Sequence, residues 1–311
     1  MDKIICIAGP TASGKTALSI SLAKELAGEI ISCDSMQVYK GMDIGTAKPS
    51  PEEREGIPHY MLDVAEPDED FSVSRYCRMA APIVDDILAR GKTAIIVGGT
   101  GLYMDALIRG NDFAPYPSTG RREELEHLAE QEGIEAVLCQ LKEVDPVSAA
   151  RLHAGDRKRI IRAMEVYLET GETITAHNER TKTIPDRYHP LWFALEDENR
   201  QDLYSRIDRR VDTMLEMGLL DEIKILLQQG VPAKCTAMQA IGYKEFLRAL
   251  SGEITVEEAA AEVKQASRHY AKRQLTWFRR NENIHWLRRA PGEGTEEILS
   301  RARHHLREID K

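Results

Sequence analysis

The chain has 311 residues, 42% hydrophobic and 30% charged, with a formal net charge of −9, which is material for one large or two ordinary domains. No apolar run approaches the ~20 residues of a membrane helix, and Met1-Asp2-Lys3 leads straight into an apolar run, so no signal peptide is expected. The five cysteines (Cys6, Cys33, Cys77, Cys139, Cys235) are scattered without a C-x-x-C pair, which predicts a reducing cytosol and no zinc site.

Ile4, Ile5, Cys6, Ile7 and Ala8 read as a buried strand. Gly9-Pro10-Thr11-Ala12-Ser13-Gly14-Lys15-Thr16 follows, then a helical pattern of Leu18, Leu22 and Leu26. Strand, glycine-rich loop and helix is the context of a phosphate-binding loop. Backbone N–H groups and the positive end of the helix dipole favour a polyanion there. Gly9 and Gly14 allow close backbone approach, Lys15 reaches a terminal phosphate, and the Thr16 hydroxyl suits Mg²⁺. The pattern predicts binding of a diphosphate or triphosphate; the alternative is a plain glycine turn before a capped helix.

Residues 30–33 form a second expected strand, with Asp34 at its carboxyl end, the edge where ligands sit in parallel α/β sheets. Residues 37–49, with Gly41 and Gly45, read as a loop over that edge. Residues 72–90 are patterned as an amphipathic helix closed by Gly91. Residues 93–97 are a third strand, followed by Gly98-Gly99-Thr100-Gly101-Leu102-Tyr103. A hydrolytic P-loop enzyme usually carries an acid at the end of such a strand. Here the strand runs into glycines, so the loop need not belong to an ATPase.

Residues 111–117, containing Pro115 and Pro117, read as a linker. Beyond it, residues 121–141 and 156–170 are helical patterns joined by Asp145-Pro146. Pro185 and Pro190 bracket the exit, and residues 191–195 read as a strand rejoining the sheet. The remainder is expected to be helical, over 203–229, 245–250 and 256–280. The expected fold class is α/β: a P-loop core with a parallel sheet flanked by helices, formed by residues 1–111 and 191–311, plus a mostly helical insertion at 112–190.

Asp34 suits either a general base or a turn cap, and Thr100 either a hydroxyl ligand or a turn residue. Arg206 and Arg210 lie four apart on one helix. They read either as a fork for diphosphate oxygens or as an exposed face paired with Asp208 or Asp212. Lys158, Arg159 and Arg162 share a helix whose stripe is Ile160, Ile161, Met164 and Leu168. A second basic helix carries Arg268, Lys272 and Arg279, with Arg273 and Arg280 beside them and Tyr270, Trp277 and Phe278 interleaved. Two such surfaces suit an RNA backbone, although either cluster also reads as a solvated helix face. The nine histidines show no metal spacing.

The phosphate loop, Asp34-Ser35-Met36-Gln37-Val38-Tyr39-Lys40-Gly41-Met42-Asp43-Ile44-Gly45-Thr46-Ala47-Lys48-Pro49 and Gly98-Gly99-Thr100-Gly101-Leu102-Tyr103 together resemble the tRNA dimethylallyltransferases. Lys158-Arg159-Ile160-Ile161-Arg162-Ala163, Ala240-Ile241-Gly242-Tyr243-Lys244 and Ala271-Lys272-Arg273-Gln274 also fit. The resemblance implies transfer of a prenyl group from dimethylallyl diphosphate to N6 of adenosine 37 in tRNAs reading codons that begin with U. It implies Mg²⁺ as cofactor, a cytoplasmic monomer, and an insertion that closes on the anticodon stem-loop. Gly9, Pro10, Thr11, Ala12, Ser13, Gly14, Lys15 and Thr16 would hold the diphosphate, with the metal on Thr16. Lys15 and Arg210 would stabilise the leaving group, Asp34 would take the proton, and Thr100 would orient the acceptor. Asp34, Ser35, Met36, Gln37, Thr100, Lys158, Arg159, Ile160, Ile161, Arg162, Gln239, Ala240, Ile241, Gly242, Tyr243 and Lys244 would touch tRNA. The rival readings are a P-loop small-molecule kinase and a non-catalytic RNA-binding module.

Overall fold

A strand that is apolar at every position has to lie inside a sheet covered on both faces. Ile4–Ala8 (β1) is such a strand and is buried throughout. In the computed structural model, which describes residues 4–110 and 119–309, β1 joins Glu29–Ser32 (β2), His59–Tyr60 (β3), Ala94–Val97 (β4), Leu191–Asp197 (β5) and Ile284–Arg289 (β6). They form one parallel sheet in the order β3-β2-β4-β1-β5-β6, with Cys6 opposite both Ile96 and Trp192.

The helices among the described residues are Lys15–Glu25 (α1), Val73–Ala89 (α2), Gly101–Arg109 (α3), Arg121–Gln131 (α4), Ile134–Val144 (α5), Pro146–Ala149 (α6), Arg157–Thr170 (α7) and Ile174–Lys182 (α8). After β5 come Arg200–Glu216 (α9), Leu219–Gln228 (α10), Tyr243–Leu250 (α11), Val256–Phe278 (α12) and Thr295–Ile309 (α13). Side chains alternate across the sheet. Ile5, Ile7, Ile95, Phe193 and Leu195 pack with Leu18 and Leu22 of α1 and Ile298, Leu299 and Ala302 of α13. Cys6, Ile31, Ile96 and Trp192 pack on the other face with Tyr76, Val84 and Ile87 of α2, Tyr103 and Leu107 of α3, and Phe278 of α12.

The chain divides into a sheet unit, Met1–Gly110 with Arg187–Lys311, and a helical unit, Asn111–Asp186. Arg187 and Tyr188 belong to the sheet unit: the Tyr188 N–H donates to the Ile108 carbonyl at 3.1 Å, and its hydroxyl donates to Asp85 at 2.6 Å. The helical unit has its own core of Leu125, Val137, Leu141, Ile160, Ile161 and Met164. Its buried Asp145 caps α6 through the Ser148 N–H at 3.0 Å and holds Thr175 by side chain and backbone at 2.6 and 3.1 Å.

Three expectations are corrected. The helix expected over 203–229 is two, broken at Gly218, and the one over 121–141 is two, broken at Gly133; both glycines have left-handed φ, 98° and 88°. Residues after 280 are not all helical. β6 forms the sheet edge, and its sequence Ile284-His285-Trp286-Leu287-Arg288-Arg289 lacks a clear two-residue alternation. β3 was missed because a two-residue strand carries no periodicity. Thr100, read as a hydroxyl ligand or a turn residue, is the residue from which α3 starts. The linker expected at 111–117 lies outside the described residues.

Candidate active site

β1 and β4 end side by side, and their following segments define the site. After β4, three glycines are required by close approach. A Cβ on Gly98 would lie 1.9 Å from the Cys33 carbonyl oxygen, one on Gly99 2.0 Å from Gln274 Nε2, and one on Gly101 2.2 Å from the Trp277 ring. α12 therefore packs directly onto this turn, and Trp277 Nε1 donates to Asp105 of α3 at 2.9 Å.

Asp34 sits just past β2. Its Oδ1 accepts the backbone N–H groups of Met36 at 2.8 Å and Gln37 at 3.3 Å. The turn-cap reading is met by one oxygen, which fixes the carboxylate, while Oδ2 makes no hydrogen bond among the described residues. Thr100 Oγ1 accepts the Ser35 N–H at 3.1 Å, which ties the two turns together. Gln37 accepts the Ser32 hydroxyl at 2.9 Å and donates to the carbonyls of Thr46 and Ala47 at 3.3 and 3.2 Å, holding the loop over the site.

In the phosphate loop, Lys15 Nζ donates to the Pro10 carbonyl at 2.7 Å. Burial first, then the nearby Arg210 guanidinium, lowers the Lys15 ammonium to about 7, against the opposing pull of Asp34. The Ser13 hydroxyl is buried with no hydrogen-bond partner among the described residues, and Thr16 is exposed at the start of α1. Gly14 packs against Arg289 of β6, whose Nη2 lies 3.0 Å from the position a Cβ would take.

Neither reading of the Arg206–Arg210 pair, a fork or an exposed face paired with Asp208 or Asp212, is met. Arg206 braces the loop from outside, donating to the Ala12 carbonyl at 3.0 Å and to Asp197 at 2.5 Å. Arg210 faces the site, its acidity raised by burial and opposed by Asp34 and Glu53. Neither pairs with Asp208 or Asp212, which instead bind Arg268 at 2.8 Å and Lys264 at 2.5 Å. α12 is thereby less basic than its sequence, since Arg279 also pairs with Glu196. Lys272, Arg273 and Arg280 remain exposed.

These groups border a cavity of about 380 Å³. Thr11, Asp34 and Ser35 line it together with Arg210, Gln239 and Lys244. Tyr270 and Arg273 of α12 line it too, a contribution the sequence did not assign. Burial raises the Tyr270 hydroxyl to about 12, with Asp34 adding to the shift and Thr100 opposing it. Ala240 and Gly242 border the cavity, whereas Tyr243 turns inward and donates to Glu222 at 2.6 Å. A polyanion beside the loop and a nucleophile beside Asp34 would meet in this space.

Within the helical unit, Lys158, Arg159 and Arg162 are exposed. Arg159 pairs with Asp156 at 3.4 Å and Arg162 with Glu165 at 3.0 Å. Ile160 and Ile161 are fully buried core residues, so their side chains cannot face a ligand, and Leu168, expected in the same stripe, is exposed. Among the described residues, no group of three or more His, Cys, Asp or Glu could hold a metal ion. No helix of the described residues is long and apolar enough to cross a membrane.

The family described as IPP transferase matches residues 37–281. The tRNA dimethylallyltransferase of Acetivibrio thermocellus is 45% identical over 98% of both chains, and that of Carboxydothermus hydrogenoformans is 47% identical over 97% of both. The crystal structure of a tRNA isopentenylpyrophosphate transferase from Bacillus halodurans is 40% identical, with a TM-score of 0.74 over 100% of this chain and 97% of that one. A eukaryotic dimethylallyltransferase acting on tRNA is 30% identical, with a TM-score of 0.82 over 98% of this chain and 79% of that one.

Proposed function

The chain belongs to the tRNA dimethylallyltransferase family, and from that premise we propose that it transfers the dimethylallyl group of dimethylallyl diphosphate to N6 of adenosine 37 in tRNAs reading codons that begin with U. Dimethylallyl transfer to tRNA is the family activity; the acceptor atom and the residue roles are our reading of the site. The observation that carries it is that Asp34, with one oxygen held by the turn, and Arg210 line one cavity together with Thr11 of the phosphate loop.

The phosphate loop and Lys15 hold the diphosphate, and Arg210 faces the charge that grows as the C1–O bond breaks. N6 attacks C1 in line, forming the C–N bond as diphosphate departs. Oδ2 of Asp34 takes the N6 proton once the new bond makes it acidic, while the capped Oδ1 keeps the carboxylate oriented. Thr100 and Ser35 hold the acceptor edge of the cavity. The exposed Thr16 hydroxyl, with diphosphate oxygens and water, fits the oxygen donor set of Mg²⁺, which would supply charge neutralisation when bound.

Gln239 and Lys244 at the cavity, and Lys158, Arg159 and Arg162 in the helical unit, contact the anticodon stem-loop. Ile160 and Ile161 support the latter three from the core. We place the enzyme with its tRNA in the cytoplasm. A kinase reading is not favoured, because it leaves Asp34, Gln239 and Lys244 around the cavity without a purpose.

The test is a transfer assay with labelled dimethylallyl diphosphate, Mg²⁺ and an anticodon stem-loop carrying A37. Label should appear on N6 of that adenosine. Phosphate transfer from ATP to a small acceptor, with no label in RNA, would sink the proposal.

A further inference from the structure

α12 runs past both halves of the cavity, and one of its side chains joins them. Gln274 is 5% exposed, although Lys272 and Arg273 just before it in the helix are exposed. Its Oε1 accepts the backbone N–H of Thr11 at 2.9 Å, and its Nε2 donates to the Gly99 carbonyl at 3.0 Å. The partners fix the amide orientation, since a backbone N–H only donates and a carbonyl only accepts. Thr11 belongs to the loop proposed to hold the donor, and Gly99 immediately precedes Thr100 on the acceptor side. Among the described residues, no hydrogen bond joins 9–16 directly to 98–101.

We propose that Gln274 is a positioning residue that sets the spacing between the diphosphate loop and the Thr100 turn, so that donor carbon and acceptor nitrogen lie in line. The inference rests on the transfer reading above. The bridge has a chemical requirement that few side chains meet: one donor and one acceptor at the end of a two-carbon stem. It also occupies the Thr11 N–H, so that group serves the bridge and the anion is left to the rest of the loop. Gly99 is a glycine because the amide fills the space its Cβ would take.

Loss of the amide frees the two segments to shift relative to one another. A displacement on the order of 1 Å between reacting groups costs roughly a hundredfold in rate. Since each substrate keeps its own contacts, the loss belongs in kcat and not in KM.

The experiment compares wild type, Gln274→Leu and Gln274→Glu. It measures kcat, KM for dimethylallyl diphosphate and for the stem-loop, affinity for inorganic diphosphate by calorimetry, and thermal melting. Gln274→Leu should lose about 30- to 100-fold in kcat, with each KM and the diphosphate affinity within about threefold. In Gln274→Glu, the ionised carboxylate accepts from Thr11 but cannot donate to Gly99, whereas the protonated acid does both. Its kcat relative to wild type should therefore rise as pH falls from about 8.5 to about 6, with melting at each pH showing the variant folded throughout, which separates the effect from loss of stability. A kcat within about threefold of wild type in Gln274→Leu, a loss confined to KM, or a pH-independent ratio in Gln274→Glu would overturn the inference. Absence of transfer by the wild type would instead overturn the function on which it rests.

Discussion

The hydroxyl of Tyr243 donates to Glu222 Oε1 at 2.6 Å, and the same carboxylate accepts the backbone N–H groups of Asp43, Ile44 and Gly45 at 2.8, 2.7 and 3.2 Å. One side chain of α10 thus holds the loop over the cavity and the segment leading into α11. Gly45 lies so close to Tyr243 that a Cβ there would be 2.5 Å from the ring. Glu222→Ala leaves the Tyr243 hydroxyl and the part-buried Ile44 and Gly45 N–H groups unpaired, a cost of about 1–3 kcal/mol. We expect a lower melting temperature and a KM for the stem-loop raised about tenfold, with diphosphate affinity unchanged. Equal weakening of both substrates would place Glu222 in general stability instead.

The turn cap that Asp34 makes and the base role proposed for it are separable. Asp34→Asn retains an oxygen for the Met36 and Gln37 N–H groups but removes the carboxylate. Transfer should fall by roughly a hundredfold or more while the melting temperature stays put. Full activity in this variant would reduce Asp34 to its turn.

Lys15, held at about 7 by burial and Arg210, is largely neutral at pH 8. A diphosphate beside it favours the ammonium and raises its affinity for a proton. Binding of inorganic diphosphate at pH 8 should be accompanied by net proton uptake, which disappears at about pH 6, where Lys15 is already charged. Calorimetry in buffers of different ionisation enthalpy reads this directly, and Lys15→Met should abolish the uptake.

Glu29 is buried between strands and held by Arg90 at 2.6 and 2.7 Å, Lys92 at 2.5 Å and Tyr60 at 2.9 Å. These partners, Arg90 first, lower its carboxyl to about 2 from an ordinary 4.5. A depressed carboxyl stabilises the fold above its unfolded value and loses that contribution as pH falls through the folded one. Glu29→Gln should cost about 2–4 kcal/mol in urea unfolding near neutrality. The difference should shrink between about pH 4.5 and pH 2. A gap unchanged at pH 2 would contradict the assignment.

Binding of the stem-loop should weaken with salt, because phosphate contacts release counterions. Lys158→Ala should reduce the slope of log K against log salt by about 1, irrespective of sequence elsewhere in the stem. Ile161→Ala should act differently, destabilising the helical unit by about 2–4 kcal/mol through a core cavity. An unchanged slope for Lys158→Ala would remove that residue from the interface.

The chain by itself determined what is local. A short unbroken apolar run ending in glycine fits an inner strand, eight consecutive residues carry the glycine-rich loop between strand and helix, and Asp34 falls at a strand's carboxyl edge by simple counting. It also carried the family, through segments at residues 34–49 and 98–103. Gln274 left a faint local trace, a polar residue in line with the buried Ala271 and Phe278, but its partners lie 263 and 175 positions away. Only the tertiary structure could say that Arg206 turns to Asp197 while Arg210 turns to the cavity. The helix spacing is the same for both, and the acid that claims one of them comes from β5. Likewise, α12 reads as basic until α9 and β5 bring Asp208, Asp212 and Glu196 against it. Periodicity reports which face of an element is buried; which charges meet depends on the neighbouring elements, and the sheet order decides those.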